Sequence, residues 1–526
     1  MSADAAREPG EADDLGLRGP LDRFLSTSST YVLTRFVMLR ALGVVYLAAF
    51  MSAALQLGPL IGSHGLVPAE HLVKIQTANG ALAATRRAPS LFFWIGASDT
   101  ALSAVSWTGV ALSLLLLAGV TNAGVMVALW GLYLSIVHVG GVFYGYGWEI
   151  QLLETGLLAV FLCPITSVKP FPRAPPPVLP IWLSRWLIAR VMLGAGLIKL
   201  RGDDCWRELT CLQFHYQTQP IPGPLSPYFH SLPAPAQTVG ALFNHVVELL
   251  APFAAFGPRL ARRVAGGLFI AFQLTLILSG NLSFLNWLTI VPALACFDDE
   301  DYARVLPRRL VDWARASTLE PRASRAALWV SGGHALVVAI LSLNPVSNML
   351  SAHQVMNQSY EPLHIVNTYG AFGSVSRERV EVVVQGSLAE DPADESAYRE
   401  YELPCKPGPV DRRLCWITPY HRRLDWQMWF LQYSPVEQNP WFVRMVAKLL
   451  DGDPEIRKAL SRDPFDGARP RWVRAELYHY RFARGSAVWE RERIGSYLRP
   501  VSADDPELRK YLFYAALDEE DVDPSP

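Results

Sequence analysis

Charge is what this 526-residue chain has least of: Asp, Glu, Lys and Arg make up 18% of it, against 51% hydrophobic residues. The two signs nearly cancel, at a net charge of -1, which removes the bulk electrostatic pull that draws basic proteins to nucleic acid. Cysteine is sparse too. There are six, and no two stand in CxxC spacing, which excludes the common zinc-ribbon pattern. GxSxG, Walker A, HExxH and strand-borne GxGxxG motifs are all missing, so no familiar hydrolase, nucleotide or metalloprotease signature is present. No cofactor and no metal are expected. The first thirty residues lack the basic and apolar regions of a cleaved signal peptide. Polar and mixed in charge, residues 1–30 are expected to form a disordered cytoplasmic arm.

What the chain has in plenty is apolar runs of bilayer length, crowded between residues 31 and 343. Candidate spans cover roughly 31–57, 102–119, 122–143, 148–163, 180–200, 236–256, 263–280, 283–297 and 326–343. Phe92, Phe93 and Trp94 suggest an added re-entrant or interfacial segment. The expected fold is a polytopic α-helical membrane bundle of about nine spans (31–343), then an α+β extracytoplasmic domain (344–515) and an acidic tail (516–526). Lys and Arg in short loops set the orientation. One side carries Lys169, Arg173, Arg259, Arg262, Arg263 and the run from Arg304 to Arg325; the other carries Lys74, Arg86, Arg87, Arg201 and Arg207. The richer side is the cytoplasm. The N-terminus then lies inside, and the C-terminal domain lies outside, in a periplasm or an endoplasmic reticulum lumen.

The C-terminal domain opens on a strand: in RERVEVVVQGS (377–387), Val380, Val382 and Val384 share one face. REYELPC (399–405) and RAELYHYRF (474–482) read as further strands. Asn439 before Pro440 starts a helix that Gly452 ends, and Asp453 before Pro454 repeats the device. Cys405 and Cys415 lie in this domain, and Cys205 and Cys211 lie in an extracytoplasmic loop. On an oxidising side each pair is expected as a disulfide.

Ionisable groups within apolar spans are costly and call for partners. Arg185, Arg190 and Lys199 share one apolar helix, which ends in a loop rich in Trp, Cys, His and Tyr. Glu149 and Glu154 stand in WEIQLLETG; His245 and Glu248 stand in FNHVVELLAPF, spaced to share a helical face. The expectation is an intramembrane network in which Glu154 or Glu248 pairs with Arg185 or Arg190. Lys199 is the candidate catalytic residue, a base in a polar cavity. Set near the end of its span, it is also placed to snorkel to the interface.

Around these residues the chain resembles the lipase maturation factor family. The carrying stretches in the bundle are YGYGWEIQLLETGLLAVFL (144–162), GAGLIKLRGDDCWRELTCLQFHYQTQPIPGPLSPYFHSLP (194–233), LFNHVVELLAPF (242–253) and SGNLSFLNWLTIV (279–291). In the C-terminal part they are IVNTYGAFGSVSRERVEVV (365–383), TPYHRRLDWQMWF (418–430) and QNPWFVRMVAKLLDG (438–452). The resemblance implies a multi-pass membrane protein with a lumenal C-terminal domain. In animals that family resides in the endoplasmic reticulum and assists folding and dimer assembly of secreted lipases. GAGLIKLRGDDCW alone is also similar to a stretch of the vitamin K-dependent gamma-carboxylase, in which a lysine acts as base. Lys199 matches that lysine and Trp206 a downstream tryptophan, with Ile198 where the carboxylase doubles the lysine.

The expected function is a membrane-anchored maturation factor, a chaperone rather than an enzyme, acting in the endoplasmic reticulum membrane or a bacterial inner membrane. The expected partners are membrane lipid and a secreted client such as a lipase. The alternative is an intramembrane enzyme using Lys199. Client contact is expected at Tyr420, Trp426, Trp429 and Phe430, because exposed aromatics anchor apolar segments.

Overall fold

The computed structural model describes residues 26–165, 167–318 and 325–512. Most of the N-terminal arm and the whole acidic tail lie outside the described residues.

Helix α1 (Val32–Ile61) starts where the amides of Val32, Leu33 and Thr34 donate to the carboxylate of Asp299. That acid supplies the acceptors a first helical turn lacks, and its charge suits the positive end of the helix. Leu39, Leu42, Tyr46, Phe50, Ala53 and Leu57 recur at helical spacing and bury one face of α1. Along that face α1 packs against α2 (Asp99–Ala118). Then follow α3 (Ala123–Val139), α4 (Gly147–Val160), α5 (Val178–Gly202), α6 (Ala234–His245), α7 (Arg259–Ser279), α8 (Leu285–Ala293) and α9 (Arg325–Leu341).

Five stretches are long and apolar enough to cross a bilayer: Ser29–Ile61, Asp99–Ala118, Val178–Gly202, Arg259–Ser279 and Leu328–Leu350. The other expected spans fold as shorter helices, of 17 residues in α3, 14 in α4, 12 in α6 and 9 in α8. Breakers shorten two of them. After α6 the chain makes a π turn (Val246–Leu250) and then a short helix, Ala251–Ala254, with Pro252 in its first turn. Pro252 has no amide to give, and the π turn moves the bonding out of its way. Helix α8 ends one residue past Pro292.

The C-terminal domain is a four-stranded antiparallel sheet of β1 (Arg379–Ser387), β2 (Arg399–Glu400), β3 (Trp472–Phe482) and β4 (Trp489–Val501), in the order β2-β1-β3-β4. Of REYELPC only Arg399 and Glu400 pair as strand. The amides of Cys405 and Lys406 turn instead to Asp425, at 2.5 and 2.8 Å. β4 was not foreseen, because its run of Glu and Arg hides the strand period. Two helices, α10 (Arg423–Trp429) and α11 (Pro440–Leu450), pack with the sheet.

One apolar core runs from Leu39 and Tyr46 of α1, through Tyr133 and Leu153, to Trp426, Phe442 and Val473 of the C-terminal domain. The domain does not hang from the bundle on a linker; it shares the bundle's core.

Candidate functional site: buried ion pairs where bundle meets domain

Three buried ion pairs, each built on an acid of the bundle, organise the site, and two of them join the bundle to the C-terminal part. The first lies at the end of α5. Lys199 is 4% exposed, and its Nζ stands 2.5 Å from Glu248 Oε1. The other oxygen of Glu248 accepts from Asn244 Nδ2 at 2.8 Å, and the ammonium sits 5.2 Å from the centre of the Trp206 ring. His245 Nε2 lies 2.9 Å from the carbonyl of Trp206. The π turn carries Glu248 toward α5. Lys199 is therefore enclosed in the protein against a carboxylate rather than extended to the surface.

The second pair is Arg190 of α5 with Glu154 of α4, both 2% exposed. Glu154 Oε2 also accepts from the Asn367 amide at 3.1 Å and from the Tyr369 hydroxyl at 2.6 Å. Arg190 Nη1 donates to the Asn367 carbonyl at 2.9 Å. Segment 367–369, entering the C-terminal domain, is thus bonded to both partners of an intrahelical-bundle pair.

The third pair crosses the seam outright. Glu149 Oε1 lies 2.7 Å from Arg423 Nη1, and neither side chain is exposed at all, at 0% each. Tyr133 donates its hydroxyl to Glu149, and Trp148 Nε1 donates at 2.9 Å. Arg423 also donates to the Phe143 carbonyl at 2.6 Å and lies 3.5 Å above the Tyr144 ring. Such a pair contributes little over an apolar isostere, but removing one partner costs about 3–5 kcal/mol because a bare buried charge is left.

Arg185 departs from the expectation of an acidic partner. Its Nε donates to the Ala295 carbonyl at 2.8 Å, its Nη2 to the Tyr31 hydroxyl at 3.1 Å, and its guanidinium lies over the rings of Tyr31 and Trp182. A carbonyl, a hydroxyl and two ring faces replace the carboxylate. Further fasteners were missed by sequence reasoning. Arg379 donates to the carbonyls of Gln217 and Gln219 at 2.8 and 2.5 Å and to that of Pro220 at 2.9 Å. Arg377 pairs with Asp203 at 2.8 Å. These arginines sit in strand-like or loop sequence, where an arginine normally reads as solvated; the one available signal was that the loop at 203–222 is closed by prolines and must be held.

Asp203 and the histidines outside the spans show the electrostatic consequences. The Arg377 guanidinium holds the Asp203 carboxyl at about 2, well below its usual range. Burial pushes His421 well below the usual imidazole value, with Arg423 adding to the effect. Burial likewise brings His215 and His364 to about 4.

Disulfides join Cys205 to Cys211 and Cys405 to Cys415, with Cα–Cα separations of 4.8 and 5.6 Å; Cys163 and Cys296 are free. Asp203, Cys205 and Cys211 bring potential ligand atoms within 4.8 Å of one another. The two sulfurs are bonded to each other and Asp203 to Arg377, so this set is not free to take a metal.

The aromatic candidates divide by burial. Trp426 is 5% exposed and packs edge-on against Trp148, at 5.0 Å, and His421, at 5.8 Å. Tyr420 accepts from Gln56 Nε2 of α1 at 3.0 Å. Both belong to the seam. Trp429 is half-buried, its Nε1 donating to the Thr218 carbonyl at 2.9 Å. Phe430, 36% exposed, and Tyr433, 53% exposed, each lie 5.1 Å from the Trp429 ring, and the three form a surface cluster.

Fold and site together define an integral membrane protein whose own C-terminal α+β domain is fastened to its bundle by buried charge. Residues 33–304 match the family model for the lipase maturation factor transmembrane domain, and residues 365–499 match that for the lipase maturation factor C-terminal domain. The chain belongs to the lipase maturation factor family. It is 45% identical to lipase maturation factor 1 of Bos taurus over 96% of this chain and 94% of that one. Identity to lipase maturation factor 1 of Homo sapiens is 44%, over 92% and 90%. Lipase maturation factor 2 of Gallus gallus is 28% identical, over 90% and 82%. No solved structure matches the chain.

Proposed function

We propose that this protein is a membrane-anchored maturation factor that assists the folding and assembly of secreted lipases, as a chaperone rather than an enzyme. The observation that carries the reading is kinship to lipase maturation factor 1 along 96% of the chain, membrane part and C-terminal part alike. The ion pair that holds Lys199 supports a structural rather than a catalytic role for that residue.

The organisation we propose is an arm (1–30), a bundle (31–343), a C-terminal domain (344–515) and a tail (516–526). In this reading the shorter helices α3, α4, α6 with its continuation, and α8 also cross, which gives about nine spans. The Lys and Arg asymmetry of the loops then leaves the N-terminus in the cytoplasm and the C-terminal domain in the lumen of the endoplasmic reticulum or an equivalent extracytoplasmic compartment. Two disulfides, one in the domain and one in a loop on the same side, support an oxidising location.

The client surface is the cluster of Trp429, Phe430 and Tyr433, which offers apolar segments of an unfolded lipase a docking place. The test is co-expression with a secreted lipase in cells that lack a maturation factor of their own. The full chain should raise lipase activity per unit of lipase protein. Phe430→Ser with Tyr433→Ser should lower that gain severalfold at an unchanged membrane level. Equal rescue by the double variant would remove the client role from this cluster; no rescue by the wild type would remove the function itself. Truncation after Leu343 is a poor test, because it strips Glu149 and Glu154 of the groups that neutralise or bond them.

A further inference from the structure

Two cations of α1 lack the acidic counterpart that Arg190, Lys199 and Arg423 possess. Arg35 is 2% exposed; its Nη1 donates to the carbonyls of Leu162 at 3.5 Å and Ala174 at 3.1 Å, and its Nη2 has no hydrogen-bond partner. Arg40, half-buried, donates Nη2 to Thr121 Oγ1 at 3.1 Å and lies 4.9 Å above the Phe36 ring, while its enclosed Nε and Nη1 are unbonded. Neither arginine makes an ion pair among the described residues. The acid nearest Arg35 in charge is Asp299, and its two oxygens are taken by the amides of Val32, Leu33 and Thr34.

Both guanidiniums lie under one strap, made by residues 162–165 and 167–174. Leu162 and Ala174 bond Arg35 directly. Thr121, which bonds Arg40, also donates to the Pro170 carbonyl at 3.3 Å. Cys163, on the strap, is within electrostatic reach of both. No Asp or Glu occurs between Glu154 and Asp203, so the strap and α5 offer no carboxylate; Glu149 and Glu154 of α4 are committed to Arg423 and Arg190, and the strap itself adds exposed Lys169 and Arg173. An enclosed guanidinium with bare N–H groups is unfavourable in a low-dielectric setting unless an anion meets it. The planar donor fork suits the oxygens of a phosphate, and phosphates of anionic headgroups are the anions a membrane brings to this depth.

We propose that Arg35 and Arg40, under the strap bearing Lys169 and Arg173, form a binding site for the phosphate group of an anionic phospholipid. The free Nη2 of Arg35 and the free Nε and Nη1 of Arg40 donate to its oxygens. The exposed strap cations attract the headgroup as it arrives from the leaflet.

The full-length protein is purified in detergent and titrated with phosphatidylglycerol or phosphatidylcholine, with bound lipid counted by native mass spectrometry. A second arm adds inorganic phosphate and follows thermal unfolding. The wild type should retain phosphatidylglycerol in preference to phosphatidylcholine, and Arg40→Gln should weaken that retention at least about tenfold. Lys169→Gln with Arg173→Gln changes exposed residues only, so its fold is kept, and it should weaken retention about two- to threefold. Arg86→Gln with Arg87→Gln, exposed cations of the helix Ala81–Arg87, should leave it unchanged. Equal retention by wild type, Arg40→Gln and the strap variant overturns the site, as does equal retention of both lipids by the wild type. If inorganic phosphate stabilises the wild type and phosphatidylglycerol does not compete with it, the lipid assignment fails.

Discussion

Arg423 is the residue on which most depends. It neutralises Glu149 at a site with no exposure, so Arg423→Met leaves a lone carboxylate among Tyr133, Tyr144 and Trp148. We expect that variant to lose about 3–5 kcal/mol of stability, and Arg423→Met with Glu149→Gln to recover a large part of it. Thermal unfolding of the purified proteins measures both; a double variant as unstable as the single would contradict the pairing. His421 gives a pH prediction. Buried and neutral when folded, it is also neutral in the unfolded chain above about pH 6.5, so it has no effect there. Below that pH the unfolded chain takes a proton the folded state resists, and stability falls, by as much as about 2 kcal/mol at pH 5. His421→Phe should flatten this part of the slope. The Asp203–Arg377 pair runs on a different window: with the carboxyl held at about 2, its stabilisation is whole above about pH 4 and fades only as pH drops toward 2. Acidification from pH 7 to 5 therefore leaves the Asp203–Arg377 pair intact while the buried histidines lower stability, opposed by Asp299, whose carboxyl burial raises to about 6. That two acids in one span need partners is readable from sequence. Which partners they find is not: Glu149 is met by an arginine 274 residues away. Arg185 escapes the same logic because carbonyls and ring faces serve it as well as a carboxylate does.

Among the elements, α5 bears the seam. Its Gly194 and Gly202 lie so close to the segment after the bundle that a Cβ on Gly194 would overlap the Tyr369 carbonyl oxygen, and one on Gly202 that of Gly373. Backbone atoms cannot swing aside as a side chain can. Gly194→Ala should therefore destabilise by about 1–3 kcal/mol despite its better helix propensity. Gly131→Ala, where a Cβ meets nothing within 4 Å, should be neutral or stabilising. A comparison of the two melting temperatures decides it, and a stabilised Gly194→Ala would refute the close approach. The helices of the bundle were legible because apolar runs of that length have few other fates. β4 was not, since its charges face neighbours in pairs, Arg491 with Glu400 at 2.7 Å and Arg493 with Glu476 at 2.9 Å, and the alternation of apolar and polar residues is lost. The π turn at Glu248 was equally hidden: proline signals a break in a helix but not which way the freed carboxylate will point.

For the molecule as a whole, sequence suggests two domains and the structure gives them one core and a shared set of buried charges. Hydropathy separates the halves because it counts residues along the chain, while Arg423, Asn367 and Tyr369 fold back across it. A maturation factor built this way would hold its client surface in a fixed place beside the membrane rather than on a tether. The most direct test is hydrogen exchange along a thermal ramp, on the purified full-length protein and on Arg423→Met. If bundle and domain are one folded unit, protection in α4 (Gly147–Val160) and in β1 (Arg379–Ser387) should be lost in a single transition, and Arg423→Met should lower that transition for both together. Loss of protection in β1 well before α4, or a substitution that shifts one and leaves the other in place, would contradict it.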